Sequence, residues 1–311
     1  MGTVARTAAL FAAIIALFIV IGGLVGAYLL GSFLGGLIVA LGFSLVLNLA
    51  SYFFCDRFVL WSSRARIVTP EEAPRLARIV ADLAPRFGLV APRLALIPTQ
   101  TPNAFATGRN ERHAVVAATE GLLRMLNDRE LTGVLAHELA HVKDRDILLM
   151  TFAATLAGAI SYAAQMVFFS AVFGGNNRNG NGLLALFAAI TAPIAAMLLQ
   201  LAISRSRESR ADEVGAQTIG DPNSLADALE KIESANVRRP MEFGSPASSS
   251  LYIVNPFRGA SFAALFSTHP PIEDRIRRLR AMASDFQYRP AVRGPRLRPG
   301  GGIGVRSASR E

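Results

Sequence analysis

A long uncharged stretch near the start of the chain limits what it can fold into. No Asp, Glu, Lys or Arg occurs in residues 7–55, and two further uncharged stretches follow at 147–177 and 179–204. A helix needs about 20 mostly apolar residues to cross a bilayer. The first stretch is long enough for two such helices and each of the others for one, so a purely water-soluble protein is not expected.

We interpret these stretches as four transmembrane helices in two hairpins. A signal peptide is the alternative for the first stretch, although its apolar core would be shorter. A buried core hairpin is the alternative for the last two stretches, which contain Pro193. The predicted regions are an N-terminal hairpin over 1–60, with spans near 8–30 and 33–55, and a second hairpin over 147–204, with spans near 147–173 and 183–204.

Basic residues flank the predicted spans mainly on one side. Excess Lys and Arg marks the cytoplasmic side of a membrane, so both termini and the charged segments are predicted to face the cytosol. The tips of the two hairpins hold a single basic residue, Arg178. The flanking basic residues are Arg6, Arg57, Arg64, Arg66, Lys143, Arg145, Arg205, Arg207 and Arg210.

Two charged segments, 61–146 and 205–288, are predicted to form the two halves of one domain. The remaining residues, 289–311, are rich in Arg, Pro and Gly. We predict that this tail is disordered and rests on anionic lipid. A role in nucleic-acid binding is not expected of it.

Helical and strand patterns are visible in both segments. A helix is predicted from a cap near Thr69, and Asn127 with Glu130 forms a capping-box pattern that opens a second helix through about Val142. Later helices are predicted up to Gly220, over 224–236 and over 271–284, with loop between the last two. Short β-rich runs at 93–98 and 114–119 are predicted strands, and the second is a candidate edge for an extended substrate.

The second predicted helix carries the sequence AHELAH, with His137, Glu138 and His141. Residues four apart lie on one face of a helix, so both imidazoles can reach one metal ion. Glu138 lies beside them, where it can take a proton from water activated by the metal. Two structural histidines with a surface glutamate are the alternative. The pattern favours a catalytic zinc site.

A catalytic zinc site needs a third protein ligand and an open position. The single cysteine, Cys55, lies at the end of the second predicted span, so carboxylates and the remaining histidines are the candidates. Glu208 and Asp212 again lie four residues apart on a predicted helix. One can bind metal while the other orients an imidazole. Charge pairs with this spacing are also common on solvated helix faces, so spacing alone leaves both interpretations open.

Four motifs in order make the sequence similar to a known family. They are PNAFATG (102–108), HELAHVKDRD (137–146), SRSRESRAD (204–212) and HPPIEDRI (269–276). With the predicted hairpin between the second and third motifs, the chain resembles the HtpX family of membrane-bound zinc metalloproteases. These gluzincin-like enzymes are more distantly related to the zinc prenyl proteases. The resemblance covers about residues 70–280.

The resemblance implies a mainly α fold, in which an α+β zincin-like catalytic domain is combined with four transmembrane α-helices. It implies one zinc ion per chain, held by His137, His141 and Glu208. Glu138 would be the general base and proton shuttle. Asp212 would orient a ligand histidine.

The resemblance also implies residues that contact the substrate. Asn103 matches an asparagine that lines the substrate groove. His269 and Arg275 match a histidine and an arginine that stabilise the oxyanion or hold the peptide, although alone they are typical of a loop and a solvated helix face. His113 has no such match and is interpreted as an ordinary strand residue.

The predicted function is therefore that of an integral membrane zinc endopeptidase with a cytosol-facing active site. The resemblance implies misfolded or damaged membrane proteins as substrates, in quality control at a bacterial inner membrane. Two alternatives are a processing protease with a narrow substrate range and a catalytically silent membrane chaperone or scaffold. The complete set of His137, Glu138, His141 and Glu208 argues against the silent protein.

Overall fold

The computed structural model describes residues 31–151, 205–241, 251–256 and 270–288, with five single positions between 12 and 23. Nearly all of the predicted spans 8–30, 147–173 and 183–204 lies outside the described residues, and so does the predicted tail 289–311. The predicted domain boundaries stay predictions.

Short strands and longer helices alternate in the described part of the chain. They are α1 (Phe33–Ser62), β1 (Arg66–Val68), α2 (Pro74–Arg86), β2 (Arg93–Ile97), β3 (Ala104–Thr107), a 3-10 turn (Glu111–His113), β4 (Val115–Thr119), α3 (Glu120–Met125), α4 (Asp128–Lys143), α5 (Arg205–Ile219), α6 (Pro222–Arg238) and α7 (Ile272–Tyr288). The predicted combination of many helices with a small sheet is confirmed.

Helix α1 contains the predicted span 33–55. Its N-cap is Ser32, whose hydroxyl accepts a hydrogen bond from the N–H of Gly35 at 3.0 Å. Among the described residues, no helix has the length and apolar character needed to cross a membrane, so the four predicted spans are not confirmed. Large apolar side chains of α1 are exposed: Phe33, Leu34, Ile38, Val39, Phe43, Leu45, Val46, Leu49, Phe53, Phe54, Phe58 and Trp61.

The four strands form one mixed sheet in the order β1-β2-β4-β3. β2 and β4 are parallel, and the two outer pairs are antiparallel. All five residues of β4 are buried between its neighbours. The prediction that 114–119 is an edge for substrate is therefore wrong, because β3 is the edge strand next to β4. Both β1 and β3 were missing from the sequence prediction.

Helices α2 and α4 begin where local chemistry favours a start. Pro74 occupies the first turn of α2, where its lack of an N–H costs no hydrogen bond. The predicted start near Thr69 is five residues early. The Thr69 N–H donates to the carboxylate of Glu72 in a turn that precedes the helix. At α4, Asn127 and Glu130 form the predicted capping box with both hydrogen bonds present. That prediction is confirmed.

Helix α4 lies in the middle of the fold, packed against α2, α5, α6 and β3. Its close contact with α5 depends on Gly215. A Cβ on Gly215 would lie 3.1 Å from the backbone carbonyl carbon of Ala136 and from the backbone nitrogen of His137. Such distances are tighter than ordinary van der Waals contact. The absence of a side chain therefore lets α5 approach α4 beside the first histidine.

Candidate active site

The two histidines of AHELAH lie on the buried face of α4. His137 is 1% exposed and His141 is 3% exposed. Their Nε2 atoms are 3.3 Å apart, as expected for residues one helical turn apart that point the same way. Both rings therefore present a nitrogen to the same small volume.

Glu208 of α5 completes a group of three possible metal ligands. Its Oε2 lies 3.7 Å from Nε2 of His137, and its Oε1 lies 3.5 Å from Nε2 of His141. Ligand atoms at zinc distances of 2.0–2.1 Å in a tetrahedron would be about 3.4 Å apart. The three side chains are buried and offer one ligand atom each within 4.8 Å of one another. Their spacing and their nitrogen and oxygen donors fit a single metal ion.

Asp212 lies one turn after Glu208 on α5 and contacts the other nitrogen of His137. Its Oδ1 is 2.9 Å from Nδ1, so the Nδ1–H donates to the carboxylate and Nε2 keeps its lone pair. Burial alone would raise the pKa of Asp212, but Arg275 and His137 hold it well below the ordinary value. The carboxylate therefore stays charged and fixes the tautomer that leaves Nε2 available to a metal.

Arg275 of α7 is fully buried and binds Asp212 with two nitrogens. Nη2 and Nε donate to the two carboxylate oxygens at 2.7 and 2.9 Å. Nη1 donates to the carbonyl oxygen of Ile253 at 2.9 Å, and Nη2 lies 3.5 Å from Nδ1 of His137. Arg275 therefore contacts Asp212, Ile253 and the Nδ1 side of the His137 ring, whereas Glu208 lies at Nε2 of that ring.

Glu138 is 2% exposed and follows His137 directly on α4. Burial raises its pKa to about 7, with Glu208 adding to the rise and His137 and the backbone N–H of Ala106 opposing it. Because Ala106 belongs to β3, the carboxylate lies close to that strand. A carboxyl group with this pKa can hold or release a proton near neutral pH.

Asn103 precedes β3 and is completely buried. Its Nδ2 donates to the carbonyl oxygen of Val254 at 2.6 Å, and its Oδ1 accepts from the N–H of Ala104 at 3.1 Å. The N–H of Ile253 donates to the carbonyl oxygen of Ala104 at 3.1 Å. Residues 251–256 therefore lie along the first part of the β3 edge.

The chain has two further histidines, His113 and His269. His269 lies outside the described residues. His113 ends the 3-10 turn instead of lying in β4, and its ring contacts Arg109 and Asn110 at 2.8 and 2.7 Å.

Sequence reasoning missed two features that border the site. One is the N–H of Ala106, because a four-residue strand within PNAFATG is too short for an alternating pattern. The other is residues 251–256, which contribute the carbonyl oxygen of Ile253 to Arg275. Their setting among Ser, Pro and Gly is typical of a loop, and no sequence signal singled them out.

A family model, curated relatives and a solved structure are similar to this chain. The model of Peptidase family M48 matches residues 70–283. A protease HtpX homologue from Syntrophobacter fumaroxidans is 53% identical over 91% of this chain and 100% of its own length. Another from Pyrococcus furiosus is 52% identical over 90% of this chain and 96% of its own. The crystal structure of S. mikatae Ste24p is 17% identical, with a TM-score of 0.47, over 89% of this chain and 64% of that one.

The family match includes every candidate residue discussed above and spans well over half of the chain. The two relatives align with this chain along nearly their whole length. From these matches, the chain belongs to peptidase family M48, among the HtpX-type metalloproteases.

Proposed function

We propose that the chain is a zinc-dependent membrane endopeptidase that cleaves misfolded or damaged membrane proteins from the cytosolic side. The observation that carries the zinc site is the convergence of His137, His141 and Glu208 at distances of 3.3 to 3.7 Å. Two imidazoles and one carboxylate are a common ligand set for zinc in peptidases. When bound, zinc would lower the pKa of water and polarise the peptide carbonyl.

Glu138 is proposed as the general base and proton shuttle. Its pKa of about 7 suits the transfer of a proton in both directions near neutral pH. It would take a proton from the attacking water and deliver it to the leaving amine. Burial beside the metal ligands keeps bulk water from competing for that proton.

Asp212 and Arg275 are proposed to hold the site together. Asp212 fixes the ring of His137 through the Nδ1 hydrogen bond, and Arg275 keeps Asp212 charged and in place. Because the guanidinium is already engaged with Asp212 and Ile253, its contacts support positioning in preference to direct contact with the peptide. His269 remains the proposed donor to the oxyanion, on the resemblance alone.

Substrate is proposed to bind along the β3 edge beyond Ala104, because residues 251–256 already lie along the part next to Asn103. The metal ligands, Glu138 and β3 are adjacent, which suits a peptide added as an extended strand. The Asn103 amide now binds Val254, so a peptide that contacts Asn103 must share or replace that bond.

Membrane insertion is supported by the uncharged stretches and by the exposed apolar side chains of α1. A continuous exposed apolar surface is unfavourable in water and suits a lipid environment. The basic residues that flank the predicted spans support an active site facing the cytosol. The bilayer would then be a direct partner of the chain, and membrane proteins would be nearby substrates.

One experiment tests the peptidase and the metal together. The full chain is purified in detergent, its zinc content is measured, and cleavage of an unfolded protein is compared with Glu138→Gln. We expect one zinc per chain in both proteins and cleavage by the parent alone. The control is Glu230→Gln, which replaces an exposed glutamate on α6 and should cleave like the parent.

Other outcomes would favour the alternatives. Equal cleavage by Glu138→Gln would contradict the mechanism. Zinc binding without cleavage of any unfolded membrane protein would support a silent chaperone or scaffold. Cleavage of one among several unfolded membrane proteins would support a narrow processing protease.

A further inference from the structure

Glu208 reaches the two histidines from a helix that follows a long separate stretch of chain. Residues 152–204 lie between the end of the α4 region and the start of α5. The direction of the Glu208 side chain therefore depends on contacts that hold α5 against α4 and the residues just after it.

Two ion pairs join α5 to the residues that follow α4. Nη1 of Arg207 lies 3.1 Å from Oδ1 of Asp146, and Nε of Arg210 lies 2.7 Å from Oδ2 of Asp144. The first pair is buried, with side chains 10% and 4% exposed, whereas Arg210 is 65% exposed. Exposed pairs contribute little to stability, but breaking a buried pair leaves a charge without compensation.

Arg207 immediately precedes Glu208, and this gives the buried pair a geometric role. Successive residues of an α-helix point about 100° apart, so anchoring Arg207 sets the rotation of α5 about its axis. Glu208, Asp212 and Gly215 then face α4 together, with Asp212 bonded to His137 and Gly215 against its backbone. Rotation by one residue would turn Glu208 away from both histidines.

We infer that the Asp146–Arg207 pair is a positioning device that aims Glu208 at His137 and His141. This inference rests on the proposed function, in which Glu208 is a metal ligand. The charges of Arg207 and Glu208 both act on the buried carboxyl group of Asp146, which agrees with its place beside the site. The exposed Asp144–Arg210 pair has no such role and provides a matched control.

The test measures metal binding by the full chain in detergent. Zinc affinity is determined by competition with a chelator, and the visible absorption spectrum of the Co²⁺-loaded protein reports the geometry around the metal. Asp146→Asn and Arg207→Gln are expected to weaken zinc binding about 10- to 100-fold, as is typical when a group that orients a ligand is lost. Both should also change the Co²⁺ spectrum. Arg207→Lys, which keeps the charge, should retain the parent spectrum.

Matched variants of the exposed pair control for the removal of charge. Asp144→Asn and Arg210→Gln should stay within about fivefold of the parent affinity and keep its Co²⁺ spectrum. Thermal melting of each metal-free variant separates loss of positioning from loss of folding. Asp146→Asn could keep the parent Co²⁺ spectrum and lose zinc affinity only in proportion to the fall in its melting temperature. That result would overturn the inference.

Glu208→Gln distinguishes failure of this inference from failure of the proposed site. If Glu208→Gln retains parent zinc affinity, the proposed ligand set is wrong and the inference fails with it. If Glu208→Gln loses zinc while Asp146→Asn and Arg207→Gln bind like the parent, the ligand set stands and the positioning role alone is wrong.

Discussion

Oδ1 of Asp212 lies 2.9 Å from Nδ1 of His137, and the same carboxylate is bound by the buried guanidinium of Arg275. Three helices, α4, α5 and α7, therefore meet at one carboxylate. Because the group is charged and buried, its partners must be kept in place together.

Asp212→Asn is expected to weaken metal binding about 10- to 100-fold, because the neutral amide orients His137 less strongly. It should also lower the free energy of unfolding by about 3–5 kcal/mol, since Arg275 would be left buried without its counter-charge. Chelator competition and urea unfolding measure the two effects. Asp82→Asn, which breaks the exposed pair with Arg86, should change neither by much. Parent-like metal binding by Asp212→Asn would contradict the orienting role.

Glu138→Gln is expected to stabilise the metal-free protein at pH 8 and to have no effect at pH 4. Burial raises the pKa of Glu138 to about 7, above the value of about 4.3 in an unfolded chain. The folded state thus binds the proton more tightly, so the parent loses stability as pH rises from about 4 to about 7. The resulting difference above pH 7 is roughly 4 kcal/mol.

Urea unfolding of the metal-free parent and variant at several pH values measures this difference. Glu213→Gln, on the exposed side of α5, serves as the control and should show no comparable pH-dependent gain. Glu138→Gln could raise the free energy of unfolding by the same amount at pH 4 and pH 8. In that case, titration of Glu138 would not be the cause of the stabilisation.

Glu208→Gln is expected to lose bound zinc at a concentration that saturates the parent. A neutral amide is a poorer zinc ligand than a carboxylate, and the site offers two histidines besides it. Metal analysis after gel filtration measures the loss. Glu213→Gln on the same helix should keep one zinc per chain. Full metal content in Glu208→Gln would mean that another residue completes the site.

Gly215→Ala is expected to push α5 away from α4, because the new Cβ would lie 3.1 Å from two backbone atoms of α4. Overpacking of this kind costs about 1–3 kcal/mol, and it should also alter the Co²⁺ spectrum. The comparison is Gly121→Ala, whose Cβ would lie 2.1 Å from the carbonyl oxygen of Gln100. That variant should lose stability without a change in the Co²⁺ spectrum. If the Co²⁺ spectrum of Gly215→Ala is also unchanged, the α4–α5 contact does not determine the geometry of the site.

The parts of the fold that were predictable from sequence have local signals. Asn127 and Glu130 mark the start of α4 within four residues, and the four-residue spacing placed His137 with His141 on one face. The spacing of Glu208 and Asp212 indicated a pair, although not which of them faces the metal position. The resemblance to a family was needed for that choice.

The parts that were not predictable depend on contacts between distant residues. Strands β1 and β3 contain three and four residues, too few for an alternating pattern to stand out. Arg275 looked like part of a solvated helix face because its partner, Asp212, lies 63 residues earlier. Residues 251–256 have no periodic pattern, and their burial depends on β3, α1 and Arg275.

The order of the site residues along the chain also determines when the site can exist. A ribosome that has completed residue 204 has produced both histidines and Glu138, but neither Glu208 nor Asp212. At residue 241 the nascent chain still lacks Arg275, which holds Asp212. The three proposed zinc ligands are therefore present together only after synthesis has passed Glu208, and Asp212 gains its buried partner only after Arg275 has been made.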